Sequence, residues 1–194
     1  MIRGAEARIV HHRHLTATAW SNGRGRTRTI GTGPLDAPAA SDAAFSWRLS
    51  LADLDVDADF SHLPGVERIL VLASEGPMAM VVDGDSHRLV RGQSIAFPGE
   101  AAVSIALAPD RRETALNLMY RRGTATGGLE VVRADGELIL DPAHGWVSAT
   151  LLAGHAQLPD GRALEGLSTL VLGEGATLLR CEGAVIAAAA VFPN

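Results

Sequence analysis

The chain has 194 residues, with 22 acidic and 17 basic side chains and a formal net charge of -5, and every basic residue is an arginine. A duplex-binding surface concentrates positive charge, so no nucleic-acid role is expected. The length suits one domain, or two small ones packed as a unit, and the single cysteine, Cys181, excludes an intramolecular disulfide and fits a reducing compartment.

Residues 1–8 carry no apolar h-region, so no secretory signal and a cytoplasmic protein are expected. His11, His12 and His14 come next. On a strand His12 and His14 would share a face, a spacing that can serve a metal, but no glutamate follows at a suitable distance. Exposed histidines, with no metal and no cofactor, are the expectation. Between Trp20 and Ile30 a Gly-rich turn leads into Arg24, Arg26 and Arg28, which period two places on one strand face. That face is either a donor-rich wall for an anion or solvated, and the solvated reading is preferred for Arg24 and Arg26. Residues 31–44, rich in Gly, Pro and Ala without a period, read as a surface loop.

From Phe45 to Ala52, Trp47, Leu49 and Leu51 alternate with Ser46, Arg48 and Ser50, which predicts a strand with one apolar face. Arg48 and Ser50 then face either a pocket or solvent. Asp53, Asp55, Asp57 and Asp59 also alternate, and a solvated acidic loop is expected in preference to a cation site. Ser61 to Val66 reads as one 3₁₀ or helical turn before a strand from Arg68 to Ala73. Arg68 opens that otherwise apolar strand. It either snorkels to water or presents a planar charged fork to a carboxylate, a geometry lysine cannot copy. In Leu116 to Gly123, alternation sets Asn117, Met119 and Arg121 on one face.

Turn chemistry punctuates the rest. Glu75-Gly76, Asp83-Gly84, Arg91-Gly92 and Pro98-Gly99 bracket strand-length apolar runs, and the signal returns at Asp135-Gly136, Asp160-Gly161, Glu174-Gly175 and Glu182-Gly183. The order of these features in the two halves is similar enough to predict a duplicated β-unit, hence an all-β chain of two barrels sharing an interface. Cys181 falls on a strand with no neighbouring histidine and reads as a buried small hydrophobe. The longest apolar stretch, Ala184 to Phe192, is too short for a membrane helix, so no membrane partner is expected. There is no G-x-S-x-G elbow and no P-loop.

Four blocks together resemble the HutD/Ves family: Trp20-x-Asn22-Gly23-x-Gly25-x-Thr27, Phe45-x-Trp47-Arg48-Leu49-Ser50-x-Ala52, Phe60-Ser61-x-x-Pro64-Gly65-x-x-Arg68, and Leu116-Asn117-x-Met119-x-Arg121-Arg122-Gly123. The sequence departs from the family pattern in two places. Arg24 interrupts a run of three glycines, and the acid usual after the Thr is replaced by Arg28 or Thr29. The resemblance implies a bicupin, two cupin-like barrels of RmlC-like jelly-roll type, roughly residues 15–123 and 124–194. Gly92 to Gly99 resembles the start of a second cupin motif without the metal-binding histidines.

The family is associated with histidine utilisation, and Ves-like members with cold or stress response. A regulatory or sensing protein that binds a small carboxylate such as formylglutamate or urocanate is therefore expected. Arg68 would pair with the anion, Arg48 and Asn117 would add donors, and Trp20 or Trp47 would wall the pocket; Asn22, Thr27 and Arg121 complete the candidates. Two alternatives stand beside it. One is a metal-independent enzyme on a small organic acid, with His62, Glu67 or Glu100 as base. The other is an interaction protein with a vestigial pocket, in which unpaired strand edges allow a homodimer.

Overall fold

The structure, a computed structural model, describes residues 6–20, 22–33, 45–142 and 146–193. Sixteen strands follow one another: β1 (Arg8–Val10), β2 (Ala17–Ala19), β3 (Gly25–Thr32), β4 (Trp47–Leu54), β5 (Ala58–Asp59), β6 (Val66–Leu72), β7 (Met78–Val82) and β8 (Asp85–Leu89). Then come β9 (Ser94–Pro98), β10 (Val103–Ala106), β11 (Glu113–Arg121), β12 (Ala125–Leu140), β13 (Trp146–Gln157), β14 (Ala163–Leu164), β15 (Thr169–Val171) and β16 (Thr177–Pro193). Among the described residues there is no α-helix, so none is long and apolar enough to cross a membrane. The chain is all-β, as the turn spacing predicts. Most of the loop expected over 31–44 lies outside the described residues; Gly31 and Thr32 close β3.

The chain divides into two compact units: a larger one, Thr16–Gly127 with Phe192–Asn194, and a smaller one, Met1–Leu15 with Gly128–Val191. In the larger unit one sheet runs β2-β3-β4-β11-β6-β9 and a second runs β5-β10-β7-β8. Leu54, Leu70, Leu72, Phe97 and Ala115 of the first pack on Met78, Met80, Leu89, Val103 and Ile105 of the second. Apolar residues at alternate positions on both sheets thus bury one common core. The Asp83-Gly84 pair is the two-residue turn expected of it. Both residues have positive φ, 49° and 92°, and Val82 and Asp85 pair directly across it.

The third sheet runs β1-β15-β13-β16-β12, with β14 on β13, and it covers a core that includes Leu151, Leu170, Leu179 and Ile186. Cys181 is buried there, as expected of a small hydrophobe. None of the three sheets closes on itself into a barrel.

Three expectations need correction. Asp135-Gly136 and Glu182-Gly183 do not connect strands but lie inside β12 and β16, with φ of 103° at Gly136 and 54° at Gly183. A positive-φ glycine serves a bulge in a long strand as well as a turn, and sequence does not separate the two. Opposite Gly183, a Cβ on Gly154 would lie 2.2 Å from the Gly183 carbonyl oxygen, so that bulge requires glycine. The turn expected over 61–66 is neither helical nor 3₁₀; only Pro64 and Gly65 turn, and β6 starts at Val66. His12 and His14 sit on a 3₁₀ turn, not on a strand.

Candidate functional site

The central strands β4, β11 and β6 set the candidates in register. Met119 lies opposite both Arg48 and Arg68, Asn117 opposite Ser50 and Leu70, and Ala115 opposite Ala52 and Leu72. These residues alternate with their neighbours and therefore share one sheet face. Ala52, Leu70, Leu72 and Ala115 belong to the core of the larger unit. One end of a core-facing surface is thus apolar, and the other carries two guanidinium groups, an amide and a hydroxyl.

Arg68 is 6% exposed. Its guanidinium carbon lies 4.7 Å from the Phe60 ring centre and 5.2 Å from that of Phe97, so both aromatic faces attract the cation. Nη1 donates to the Ser61 carbonyl at 3.3 Å, and the buried Nε has no acceptor. Burial, followed by the charge of Arg48, lowers its pKa to about 10. Arg48 lies 4.7 Å over Phe45, donates from Nη2 to the Met119 sulfur at 3.4 Å, and also leaves Nε unmatched. Its pKa too is lowered by burial.

Neither arginine has an ion-pair partner among the described residues. Glu113, the buried acid of this unit, is engaged elsewhere. It accepts from Ser74 Oγ, from the Gly76 amide at 3.1 Å and from Arg111 at 3.4 Å.

The first block builds a clip. Asn22 Oδ1 accepts from the Arg24 amide at 3.0 Å and Gly23 has φ 69°, which turns the chain and leaves Asn22 exposed. Trp20 Nε1 donates to Thr27 Oγ1 at 2.8 Å. A Cβ on Gly25 would come within 3.2 Å of the Trp20 ring, so glycine lets the indole lie flat on the strand. The ring then meets Phe60 edge-on, 5.9 Å between centres. Trp20 and Thr27 reach Arg68 through Phe60, while Asn22 shapes the turn.

Trp47 follows the opposite course. Adjacent to Arg48, it lies on the other face of β4 and packs over Gly31 and Gly33; a Cβ on Gly33 would sit 2.2 Å from its Nε1. Arg121 shares the face of Met119, and its Nη1 passes 3.7 Å from where a Cβ of Gly65 would stand. Its backbone amide donates to the Ser46 carbonyl at 2.8 Å.

The three base candidates lie apart from the arginine row or are otherwise engaged. His62 is exposed. Glu67 pairs with Arg122 at 2.6 Å. Glu100 accepts from the Gly65 amide at 2.7 Å and from Arg122, and these bonds, the amide first, hold its carboxyl down at about 2. A carboxylate so stabilised is a weak base.

The acidic row is not the solvated loop expected. Arg28 pairs with Asp53 at 2.8 Å and Arg26 with Asp55 at 3.2 Å, and Arg24 donates to the Asp57 carbonyl at 3.2 Å. Two ion pairs thus join β3 to the end of β4 and to the residue just after it, and Arg24 adds a bond to a backbone carbonyl. A nearby concavity of ≈ 770 Å³ is lined by Arg24, Asp55, Asp57, Asp110, Arg111 and Arg112 among others. Its charges largely neutralise one another, and neither Arg48, Arg68 nor Asn117 lines it, so the row between β4 and β6 is the better candidate.

Phe45, Phe60 and Phe97 contact the two guanidinium groups, and although Phe45 and Phe60 open two of the motif blocks, the sequence reading assigns none of the three to the site. Phe97 faces Arg68 because β9 pairs with β6 at that register.

The sequence is 36% identical over 111 residues to Protein Ves of Citrobacter koseri, covering 57% of this chain and 56% of that protein. It is 32% identical over 147 residues to Protein Ves of Cronobacter sakazakii, covering 75% and 76%. The match thus spans little more than half the length of the Citrobacter relative. A conserved protein of unknown function from Pseudomonas aeruginosa superimposes with a TM-score of 0.75 at 25% identity, over 96% of this chain and 99% of that one. HutD from Pseudomonas fluorescens gives 0.75 at 24%, over 97% and 99%. A cupin 2 conserved barrel domain protein from Leptotrichia buccalis gives 0.57 at 12% over the whole of both chains, a likeness of fold. The HutD family model matches residues 12–189, nearly the full length, and on that match the chain belongs to the HutD family.

Proposed function

We propose that this HutD-family protein binds a small carboxylate between Arg48 and Arg68, as a sensor and not as an enzyme. The observation that carries the reading is the pair of guanidinium groups, one buried and one half-buried, without an acid among the described residues to neutralise them. Burying an unpaired charge is costly, and the cost falls when an anion joins it. Phe60 and Phe97, with ring centres 6.3 Å apart, flank Arg68 as neighbours and Ser61 takes Nη1, which leaves the buried Nε as the unmatched donor for pairing with a carboxylate. Engagement of Glu67 and Glu100 by Arg122 supports binding without turnover.

Cupin-like neighbours and the two units support a bicupin arrangement. The family name, with its link to histidine utilisation, supports a role in sensing an acid intermediate of that kind, in the cytoplasm, without nucleic acid or membrane as partner; a homodimer is part of the same proposal. Calorimetry with formate, glutamate, urocanate and formylglutamate is the test. At least one should bind, Arg68→Ala should abolish the signal, and Arg68→Lys should weaken it by roughly tenfold, because charge is kept but the planar fork is lost. Silence with all four acids, or binding indifferent to Arg68→Ala, refutes the proposal.

A further inference from the structure

The acceptor at this site points to the class of acid it takes. Asn117 is 2% exposed, and its Oδ1 accepts no hydrogen bond, not even from Ser50 directly opposite on β4. It lies two residues along β11 from Met119, which separates Arg48 from Arg68, so the amide stands about 7 Å from the arginine row. The guanidinium groups offer donors only, and a carboxylate accepts only. A bare carboxylate therefore satisfies the arginines and leaves the Asn117 oxygen unmet, an expensive arrangement for a buried acceptor.

Resting on the carboxylate reading above, we infer that the acid also carries a neutral hydrogen-bond donor, a hydroxyl or an amide N–H, a few bonds from its carboxylate, and that Asn117 receives it. An ammonium is the wrong donor. It would enter a poorly solvated space already holding two cations, where like charges repel strongly. Asn117 thus selects as an acceptor, in contrast to the donor role that the sequence suggests, and separates hydroxy acids and N-acylated amino acids from plain acids on one side and free amino acids on the other.

Four acids of one carbon skeleton provide the test on the full chain: propionate, lactate, alanine and N-acetylalanine, each titrated at neutral pH. Lactate or N-acetylalanine should bind more tightly than propionate by roughly fivefold, the gain from one hydrogen bond. Whichever of the two is tighter identifies the donor as hydroxyl or amide. Alanine should bind more weakly than propionate. Asn117→Leu should bring the donor-bearing acids level with propionate, all measured on the same variant; if that variant does not fold, the ranking on the unaltered protein decides alone. Propionate binding in an Arg68-dependent way as tightly as both donor-bearing acids overturns the inference and leaves the carboxylate reading intact. Alanine binding tightest, or an advantage that survives Asn117→Leu, overturns it likewise. If none of the four binds while formate, glutamate, urocanate or formylglutamate does, this inference is overturned and the carboxylate reading stands; silence with both panels refutes both.

Discussion

Arg68 owes its surroundings to residues far from it in sequence. Trp20 and Thr27 fix an indole, the indole abuts Phe60, and Phe60 covers the guanidinium. Thr27→Val removes the acceptor at nearly constant shape and strands the indole N–H. It should lower stability by about 1 kcal/mol and weaken carboxylate binding severalfold, with Thr27→Ser restoring both; denaturant melts alongside anion titration check the pair of effects. The setting of Arg68 was half legible in sequence, since an arginine opening an apolar strand either snorkels to water or faces the interior, and its burial excludes the snorkelling. Phe97 was not legible as its partner. Nothing in a sequence places residue 97 against residue 68 until β9 and β6 are in register.

At the level of strands and turns, the hairpin at Asp83-Gly84 was read correctly because it is self-contained, whereas Asp135-Gly136 and Glu182-Gly183 carry the same signal inside long strands. Asp83-Gly84 needs only its own two φ angles. Where the meaning of a pattern depends on a second pattern, the sequence was incomplete: Arg24, Arg26 and the acidic row each read as solvated alone and Arg28 stayed open, and only antiparallel pairing of β3 with β4 brings Arg26 to Asp55 and Arg28 to Asp53. The Pro64–Gly65 turn is held by a comparable device, the Gly65 amide and Arg122 both bonding to Glu100. With its carboxyl at about 2 in the folded protein against an ordinary value of 4.5, Glu100 stabilises fully above 4.5 and loses that contribution as pH falls from 4.5 towards 2. Glu100→Gln should flatten the part of the acid-unfolding profile in that window, measured as urea midpoints at successive pH values. A profile unchanged by the substitution would show that the latch contributes nothing.

Across the whole chain, the all-β class and the family were legible because turn spacing and four motif blocks survive without knowledge of the fold. The allegiance of the first residues was not. Residues before β2 belong with the smaller unit, since β1 pairs with β15, His11 Nδ1 lies 3.0 Å from the Ser168 hydroxyl and Arg13 pairs with Glu165. No composition shift marks that allegiance. Deleting residues 1–11 should therefore lower the melting temperature by several degrees, with the earliest loss of amide protection in β15; hydrogen exchange read strand by strand distinguishes this from uniform loosening.

The pairing of β1 with β15 also orders events in time. Arg8 meets Val171 across that ladder, so the first strand to leave the ribosome waits while some 160 residues are made. At bacterial elongation rates of about 5–20 residues per second, the delay is on the order of ten seconds. Over that interval the two sheets of the larger unit, whose strands all lie between Ala17 and Arg121, gain every strand they contain, whereas the smaller unit's sheet still lacks β15 and β16. Synthesis therefore completes the sheets of the larger unit well before β1 has a partner.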